Sequence, residues 1–241
     1  MKLIVLSLAI LAAFDYSTSE YSPTIIPING GREGDGITTR YWDCCAPSCA
    51  WDQIIHTKNR KPVQTCKIDG RTNSTVEQNA QSGCYDGGVA YMCSNQVAWV
   101  VNSTLAYGFS AASFTGGVDT DQCCICVLLS FKGQLTGKKF LVQITNTGSP
   151  LAVNQFDLAM PGGGVGIFEK GCSSQWGTPP WGWGRPVGGV EFEEECNQLP
   201  ADLQEGCRFR FQFMENVDNP DVSFIEVQCP AELKALTGCG D

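Results

Sequence analysis

Thr38-Thr39-Arg40-Tyr41-Trp42-Asp43-Cys44-Cys45-Ala46-Pro47-Ser48-Cys49-Ala50-Trp51 sets a single carboxylate, Asp43, between aromatic residues and against an adjacent pair of cysteines. A second adjacent pair, Cys123-Cys124, lies further along, and the chain holds 14 cysteines but one histidine, His56. Adjacent cysteines and so few imidazoles suit a tetrahedral zinc cluster poorly. An even cysteine set in an exported chain reads as a framework of up to seven disulfides, each contributing roughly 2–4 kcal/mol by restricting the unfolded chain.

Export is read from the start of the chain. Met1-Lys2 is cationic, Leu3 to Phe14 is apolar, and Ser17, Thr18 and Ser19 are small, which is the pattern of a signal peptide over residues 1–19. The apolar run falls well short of the roughly 20 residues that span a bilayer as a helix. A secreted, extracellular protein is therefore expected, with no membrane partner. The 16 Lys and Arg are outnumbered by 25 Asp and Glu, for a formal charge of −9, and no segment gathers the cations into the stripe that a phosphate backbone needs. Nucleic acid is not an expected partner. Asn73-Ser74-Thr75 and Asn102-Ser103-Thr104 are acceptors for N-linked glycans in a eukaryotic secretory pathway.

Beyond a polar lead-in over residues 20–36, cysteines recur to Cys239, which predicts one domain over 37–241 with no linker to a carbohydrate-binding module. The clearest strands are Cys124–Phe131, Phe140–Thr145, Arg208–Met214 and Ser223–Cys229. In Arg208–Met214, Phe209, Phe211 and Phe213 alternate with polar residues, as a strand with one buried face requires. Pro230 followed by Ala231 to Leu236 and closed by Gly238 fits a short helix. With 27 glycines and 12 prolines dividing the rest, a strand-dominated barrel is the architecture expected.

Paired cysteines leave no free thiolate, one histidine cannot serve a metal cluster, and no Gly-x-Ser-x-Gly elbow is present, so carboxylates remain as the reactive groups. No cofactor and no metal are expected. Gly162-Gly163-Gly164-Val165-Gly166 lacks the endings of nucleotide-binding loops and reads as a tight turn after Asp157. Glu191 to Glu195 reads as a solvated acidic face. Trp176, Trp181 and Trp183 lie in a Gly/Pro-rich loop, where exposed rings would stack on pyranose faces.

Thr38–Trp51 closely resembles the signature of glycoside hydrolase family 45, the small endoglucanases. Asn154-Gln155-Phe156-Asp157-Leu158-Ala159-Met160-Pro161-Gly162-Gly163-Gly164-Val165-Gly166-Ile167-Phe168 resembles the family's other catalytic segment. Gly108–Ala112, Cys123–Cys126 and Val227–Leu233 extend the resemblance over nearly everything from Thr38 to Gly240. It implies a mainly β fold, a six-stranded double-psi β-barrel with long disulfide-stapled loops and a few short helices. It implies a monomer that cleaves internal β-1,4-glucan bonds with inversion, Asp43 as general base and Asp157 as general acid. Tyr41, Trp51, Arg40, Asn154, Trp181 and Trp183 are the implied substrate-binding residues. The implied disulfides are Cys44–Cys172, Cys45–Cys84, Cys49–Cys123, Cys66–Cys93, Cys124–Cys239, Cys126–Cys229 and Cys196–Cys207. An inverting site holds a water between base and substrate, so its carboxyls are expected about 6.5–9.5 Å apart, and the acid's pKa is expected to be raised.

The sequence departs from the family pattern at three places. Pro150 stands where a loop aspartate is common, Gln155 where histidine is common two residues before the acid, and Ala46 where lysine is frequent. Two other readings are carried: a xyloglucan-specific endoglucanase whose groove is reshaped by the added tryptophans, and a catalytically weak, glucan-binding expansin-like protein. The presence of Asp43, which expansin-like domains generally lack, favours an enzyme.

Overall fold

The computed structural model describes residues 21–54 and 61–240, so the signal peptide read over 1–19 and His56 lie outside the described residues. Seven strands carry the fold: β1 (Glu33–Tyr41), β2 (Trp99–Asn102), β3 (Leu105–Ser113), β4 (Cys126–Phe131), β5 (Lys139–Asn146), β6 (Gln155–Ala159) and β7 (Val222–Val227). They hydrogen-bond in the order β2-β3-β5-β4-β7-β1-β6, and β6 pairs back onto β3. That last pairing closes six of the strands into a barrel and leaves β2 as a flap on β3. β1 runs parallel to β6 and β3 parallel to β5, while the remaining barrel pairs are antiparallel. The result is a double-psi β-barrel with few and short helices.

Side chains alternate across each strand, so the pattern decides what fills the barrel. Phe156 and Leu158 of β6 join Val127, Leu129, Phe140 and Phe224 in one fully buried cluster. The rings of Phe156 and Phe224 meet with centroids 5.1 Å apart, and Phe114 closes over Phe156 at 5.7 Å. Asp157 and Ala159, one residue out of step with Phe156 and Leu158, take the opposite face. Gly108 of β3 is small because Phe140 is large: a Cβ there would stand 2.7 Å from the Phe140 ring.

Three of the four strands read from the sequence are present. Phe140–Thr145 lies inside β5 and Ser223–Cys229 overlaps β7, while β4 begins at Cys126 because Cys124 takes a left-handed conformation that ends the pairing. Residues Glu33–Gly36, read as the end of the lead-in, are part of the barrel, pairing antiparallel with β7.

Arg208–Met214 is not a strand. Arg208–Gln212 forms the last part of helix α2 (Ala201–Gln212), and Phe213 and Met214 follow it. Its buried positions Leu203, Gly206, Cys207 and Arg210 recur at helical spacing, and Cys207 is tied to Cys196. Phe209 and Phe213, four apart, stack with centroids 5.2 Å apart, so the alternating phenylalanines conceal an i, i+4 pair. Pro200 and Gly238 bracket the other helical features as local chemistry requires. Pro200 caps α2, and α3 (Ala231–Thr237) follows Pro230 and ends on left-handed Gly238.

The disulfides are Cys44–Cys172, Cys45–Cys84, Cys49–Cys123, Cys66–Cys93, Cys124–Cys239, Cys126–Cys229 and Cys196–Cys207, the same pairing that the resemblance implies. Two of them, Cys124–Cys239 and Cys126–Cys229, fasten the C-terminal segment with α3 to the start of β4.

Phe156 is fully buried at the centre of the barrel's aromatic cluster. Phe156→Ala is expected to cost about 3–5 kcal/mol in reversible denaturant unfolding, through lost transfer energy and an unfilled cavity.

Candidate active site

Asp43 is the second residue past the end of β1, where the chain is held on every side. The Trp42 N–H donates to the Gly164 carbonyl at 2.7 Å, and Cys44 adopts a left-handed φ of 63°. The bridges from Cys44 to Cys172 and from Cys45 to Cys84 then lock both residues after the aspartate. Cys172 belongs to helix α1 (Lys170–Trp176), whose Gly171 comes so close that a Cβ would collide with the Asp43 carbonyl and the Cys84 sulfur. Within this turn the Cys45 N–H donates to Asp43 Oδ1 at 2.9 Å, and Asp43 is only 5 % exposed.

Asp157 stands in the middle of β6, between β1 and β3. Its register partner on the parallel strand β1 is Thr39. Side chains of partners face the same side, and the Thr39 hydroxyl donates to Asp157 Oδ1 at 2.6 Å. Gln155, on that same face two residues earlier, donates its Nε2 to Thr39 Oγ1 at 2.9 Å. Tyr41 is buried and its phenol accepts from Asn146 Nδ2 at 3.1 Å, while the Asn146 carbonyl accepts the N–H groups of Ser48 and Thr147.

Burial dominates the electrostatics. It pushes the Asp43 carboxyl up to about 7, against the Cys45 N–H and with further help from the negative charge of Asp157. Burial pushes Asp157 up to about 6, opposed by the Thr39 hydroxyl and the Arg40 charge. Tyr41 is raised well above the usual phenol range by burial and then by the charges of Asp43 and of Asp157, so it stays neutral. The raised Asp157 agrees with the expectation for an acid. Asp43 is higher still, the reverse of an isolated base beside an isolated acid. The charge of Asp157 adds less to the Asp43 shift than burial does.

An open cleft of about 260 Å³ adjoins Asp43. Its walls include Ala46, Trp51, Tyr85, Asn146, Pro150 and Phe168. Asp43 is a lining residue of this cleft, whereas Asp157 is not. A larger depression of about 720 Å³ lies elsewhere, beside Arg71, Trp99 and Asp202.

Of the residues read as substrate-binding, Trp51 lines the cleft, with its Nε1 donating to the Ala80 carbonyl, and Tyr41 lies beneath it. The other four do not line it. Arg40 points to the opposite side of β1 from Thr39 and Tyr41, pairing with Asp218 and the Gly188 carbonyl. Asn154 is a left-handed turn residue whose Nδ2 holds the Asp35 carbonyl, fixing the start of β6. Trp183 is 8 % exposed and packs in the core with Tyr41, Trp42 and Val165, which corrects the reading of it as an exposed platform. Trp181 is 39 % exposed but lies outside the cleft wall. The loop has a core-facing and a solvent-facing ring, a division that irregular backbone hides from periodicity.

Several cleft residues carried no signal in the sequence. Thr39 was visible only as part of a motif, and its role depends on the parallel pairing of β1 with β6. Asn146 ends a strand, while Tyr85, Ile167 and Phe168 are apolar side chains that remain 53 %, 69 % and 41 % exposed around the cleft. Exposure is set by what fails to pack on them, which is a tertiary fact. The acidic run is structural at its end: the Glu195 carboxylate accepts the N–H groups of Glu191 and Phe192 at the start of a 3-10 turn. Among the described residues no His, Cys, Asp and Glu cluster could hold a metal ion.

The family model described as glycosyl hydrolase family 45 matches residues 35–240. The chain is 57 % identical over 243 residues to an endoglucanase of Phaedon cochleariae, covering 99 % of each sequence. It is 48 % identical to an endoglucanase of Cryptopygus antarcticus, covering 88 % of this chain and 91 % of that one. The crystal structure of the cellulase of that Antarctic springtail superposes with a TM-score of 0.79 at 47 % identity, covering 86 % of this chain and 97 % of the other. The chain belongs to glycosyl hydrolase family 45. It is accordingly a glycoside hydrolase, and the full-length relatives it matches are endoglucanases.

A buried carboxyl with a raised pKa binds its proton more tightly folded than unfolded, so it lowers stability when ionised. For Asp43 that cost grows as pH rises from its unfolded value near 4 to its folded value of about 7. Asp43→Asn keeps the acceptor for Cys45 and removes the charge. The variant is expected to be more stable than wild type by on the order of 2–4 kcal/mol at pH 8, with the difference vanishing near pH 4, as read by denaturant unfolding.

Proposed function

We propose that the protein is a secreted endoglucanase that hydrolyses internal β-1,4 bonds of a β-glucan with inversion, Asp157 acting as general acid and Asp43 as general base. The observation that carries this is Asp43, a buried carboxyl that lines an open cleft and whose pKa is raised in part by the charge of the half-buried Asp157. Endo action is supported by the endoglucanases that the chain resembles over nearly their full length.

In this mechanism the protonated Asp157 gives its proton to the glycosidic oxygen, and that oxygen departs with the electron pair of the C–O bond. Water attacks the anomeric carbon from the opposite face and gives its proton to ionised Asp43. The productive state has its proton on Asp157 and Asp43 ionised, which is the less populated of the two one-proton arrangements because Asp43 holds a proton more tightly. Activity is therefore bell-shaped in pH, with a maximum between the two apparent values of about 6 and about 7, falling on the acid side as both carboxyls protonate and on the alkaline side as both ionise.

Ala46 and Pro150 both line the cleft, so neither a lysine cation near Asp43 nor a loop carboxylate at that position takes part. The chemistry rests on two carboxylates alone. For the xyloglucan reading, Trp183 is core and is withdrawn from the rings that could shape the groove, while Trp181 stays exposed. The expansin-like reading is disfavoured by Asp43 itself, which stands close enough to Asp157 for their charges to interact. Of the two sequons, Asn73 is fully exposed and suits a glycan, whereas the Asn102 amide is engaged, donating to the Tyr21 carbonyl at 2.9 Å.

The test is product release from carboxymethyl cellulose, mixed-linkage β-glucan and xyloglucan by wild type, Asp43→Asn and Asp157→Asn. Each substitution is expected to lower kcat by at least about 10²–10³-fold. Proton NMR of the first product is expected to show the α-anomer, and a β-anomer would exclude inversion.

A further inference from the structure

Three hydrogen bonds in series end on Asp157, and the direction of each is fixed by chemistry. The Ala152 backbone N–H, which can only donate, gives its proton to Gln155 Oε1 at 2.8 Å. That contact decides which end of the Gln155 amide faces Thr39: it is the NH2 group, Nε2 lying 2.9 Å from Thr39 Oγ1. An amide nitrogen accepts nothing, so Thr39 cannot direct its single proton back toward Gln155. It donates instead to Asp157 Oδ1 at 2.6 Å.

We infer that Gln155 is a positioning residue that, through Thr39, keeps the catalytic proton of Asp157 on Oδ2. This rests on the reading of Asp157 as the general acid. In a neutral carboxyl the carbonyl oxygen is the far better acceptor, so the Thr39 proton held at Oδ1 makes Oδ1 the carbonyl oxygen and leaves the acid's proton on Oδ2. No described residue donates to Oδ2, and that oxygen is not among the buried side-chain atoms without a partner. It is thus the oxygen free to meet substrate. In the transfer the Oδ2–H bond breaks, the proton joins the glycosidic oxygen, and the leaving oxygen keeps the electron pair of the bond to the anomeric carbon. The new negative charge on Asp157 is then met by the Thr39 proton at Oδ1. The amide does this without a charge of its own, so the relay keeps its direction at any pH at which the fold stands.

The experiment compares wild type, Gln155→Leu, Thr39→Val and the double variant on mixed-linkage β-glucan and on 2,4-dinitrophenyl β-cellotrioside, whose leaving group departs without a proton. Gln155→Leu is expected to lower kcat on the glucan about 10–100-fold with KM changed less than about threefold, and to leave kcat on the dinitrophenyl glycoside within about threefold. Thr39→Val should lose as much, and the double variant no more than Thr39→Val, within about twofold, because the two act in one series. Gln155→Glu, which keeps the shape and the Ala152 contact but offers Thr39 an acceptor, should show the same leaving-group dependence and covers the case in which Gln155→Leu fails to fold. Equal losses on both substrates, no loss, or additive losses in the double variant would overturn the relay. Asp157→Asn is run alongside. If it retains glucan hydrolysis, the acid assignment itself falls; if it loses hydrolysis while the Gln155 variants match wild type, only the relay falls.

Discussion

The parallel pairing of β1 with β6 is the constraint on which the site depends. It sets Thr39 opposite Asp157 and Tyr41 opposite Ala159, and so delivers the chain leaving β1 to Asp43 beside the cleft. A slip of one residue would turn Asp157 into the aromatic barrel centre and Phe156 out of it, exchanging a hydrogen-bonded carboxyl for a desolvated one and uncovering a phenyl ring. The register is therefore held by the hydrophobic pattern of β6, and the carboxyl's position follows from the core.

A carboxyl pair poised near neutrality needs low dielectric without collapse. The barrel supplies the apolar floor, and the loops that shape the cleft above it have little regular structure to hold them. Disulfides take that part. Cys44–Cys172 and Cys45–Cys84 bind the turn after Asp43 to α1 and to the loop before Tyr91, and Cys49–Cys123 binds the next turn to the approach to β4. Cross-links of this kind act mainly by restricting the unfolded chain, and here they also fix a left-handed cysteine beside a buried charge. The destabilised Asp43 is tolerated because its surroundings cannot relax away from it.

Polar contacts at the site share one device. Gln155 and Asn146 are both carboxamides whose carbonyl is occupied by backbone N–H groups, so each presents its NH2 to a hydroxyl, Thr39 in one case and Tyr41 in the other. The Thr39 hydroxyl is left as a donor on its far side, to Asp157 Oδ1. Directional preference is thus carried from the main chain to the reacting groups by neutral residues, where an ionisable one would change its state with pH.

The sequence by itself determined a good deal. The two aspartates stand out within long motifs, the even cysteine set announces cross-links, and the proline and glycine around Ala231–Thr237 mark a helix by purely local backbone chemistry. It also pointed to carboxylates as the reactive groups, since the other reactive side chains are spent or scarce. What only the tertiary structure decided are matters of which segment lies against which. Phe209, Phe211 and Phe213 read as a strand from their alternation, and it is the core and the bridge to Cys196 that claim one face of helix α2 instead. Trp183 and Trp181 sit two residues apart in one loop, and packing alone sends the first inward and leaves the second out. Thr39 and Gln155 gain their meaning from a pairing between strands more than a hundred residues apart, because a hydrogen bond's direction depends on the whole chain of partners behind it.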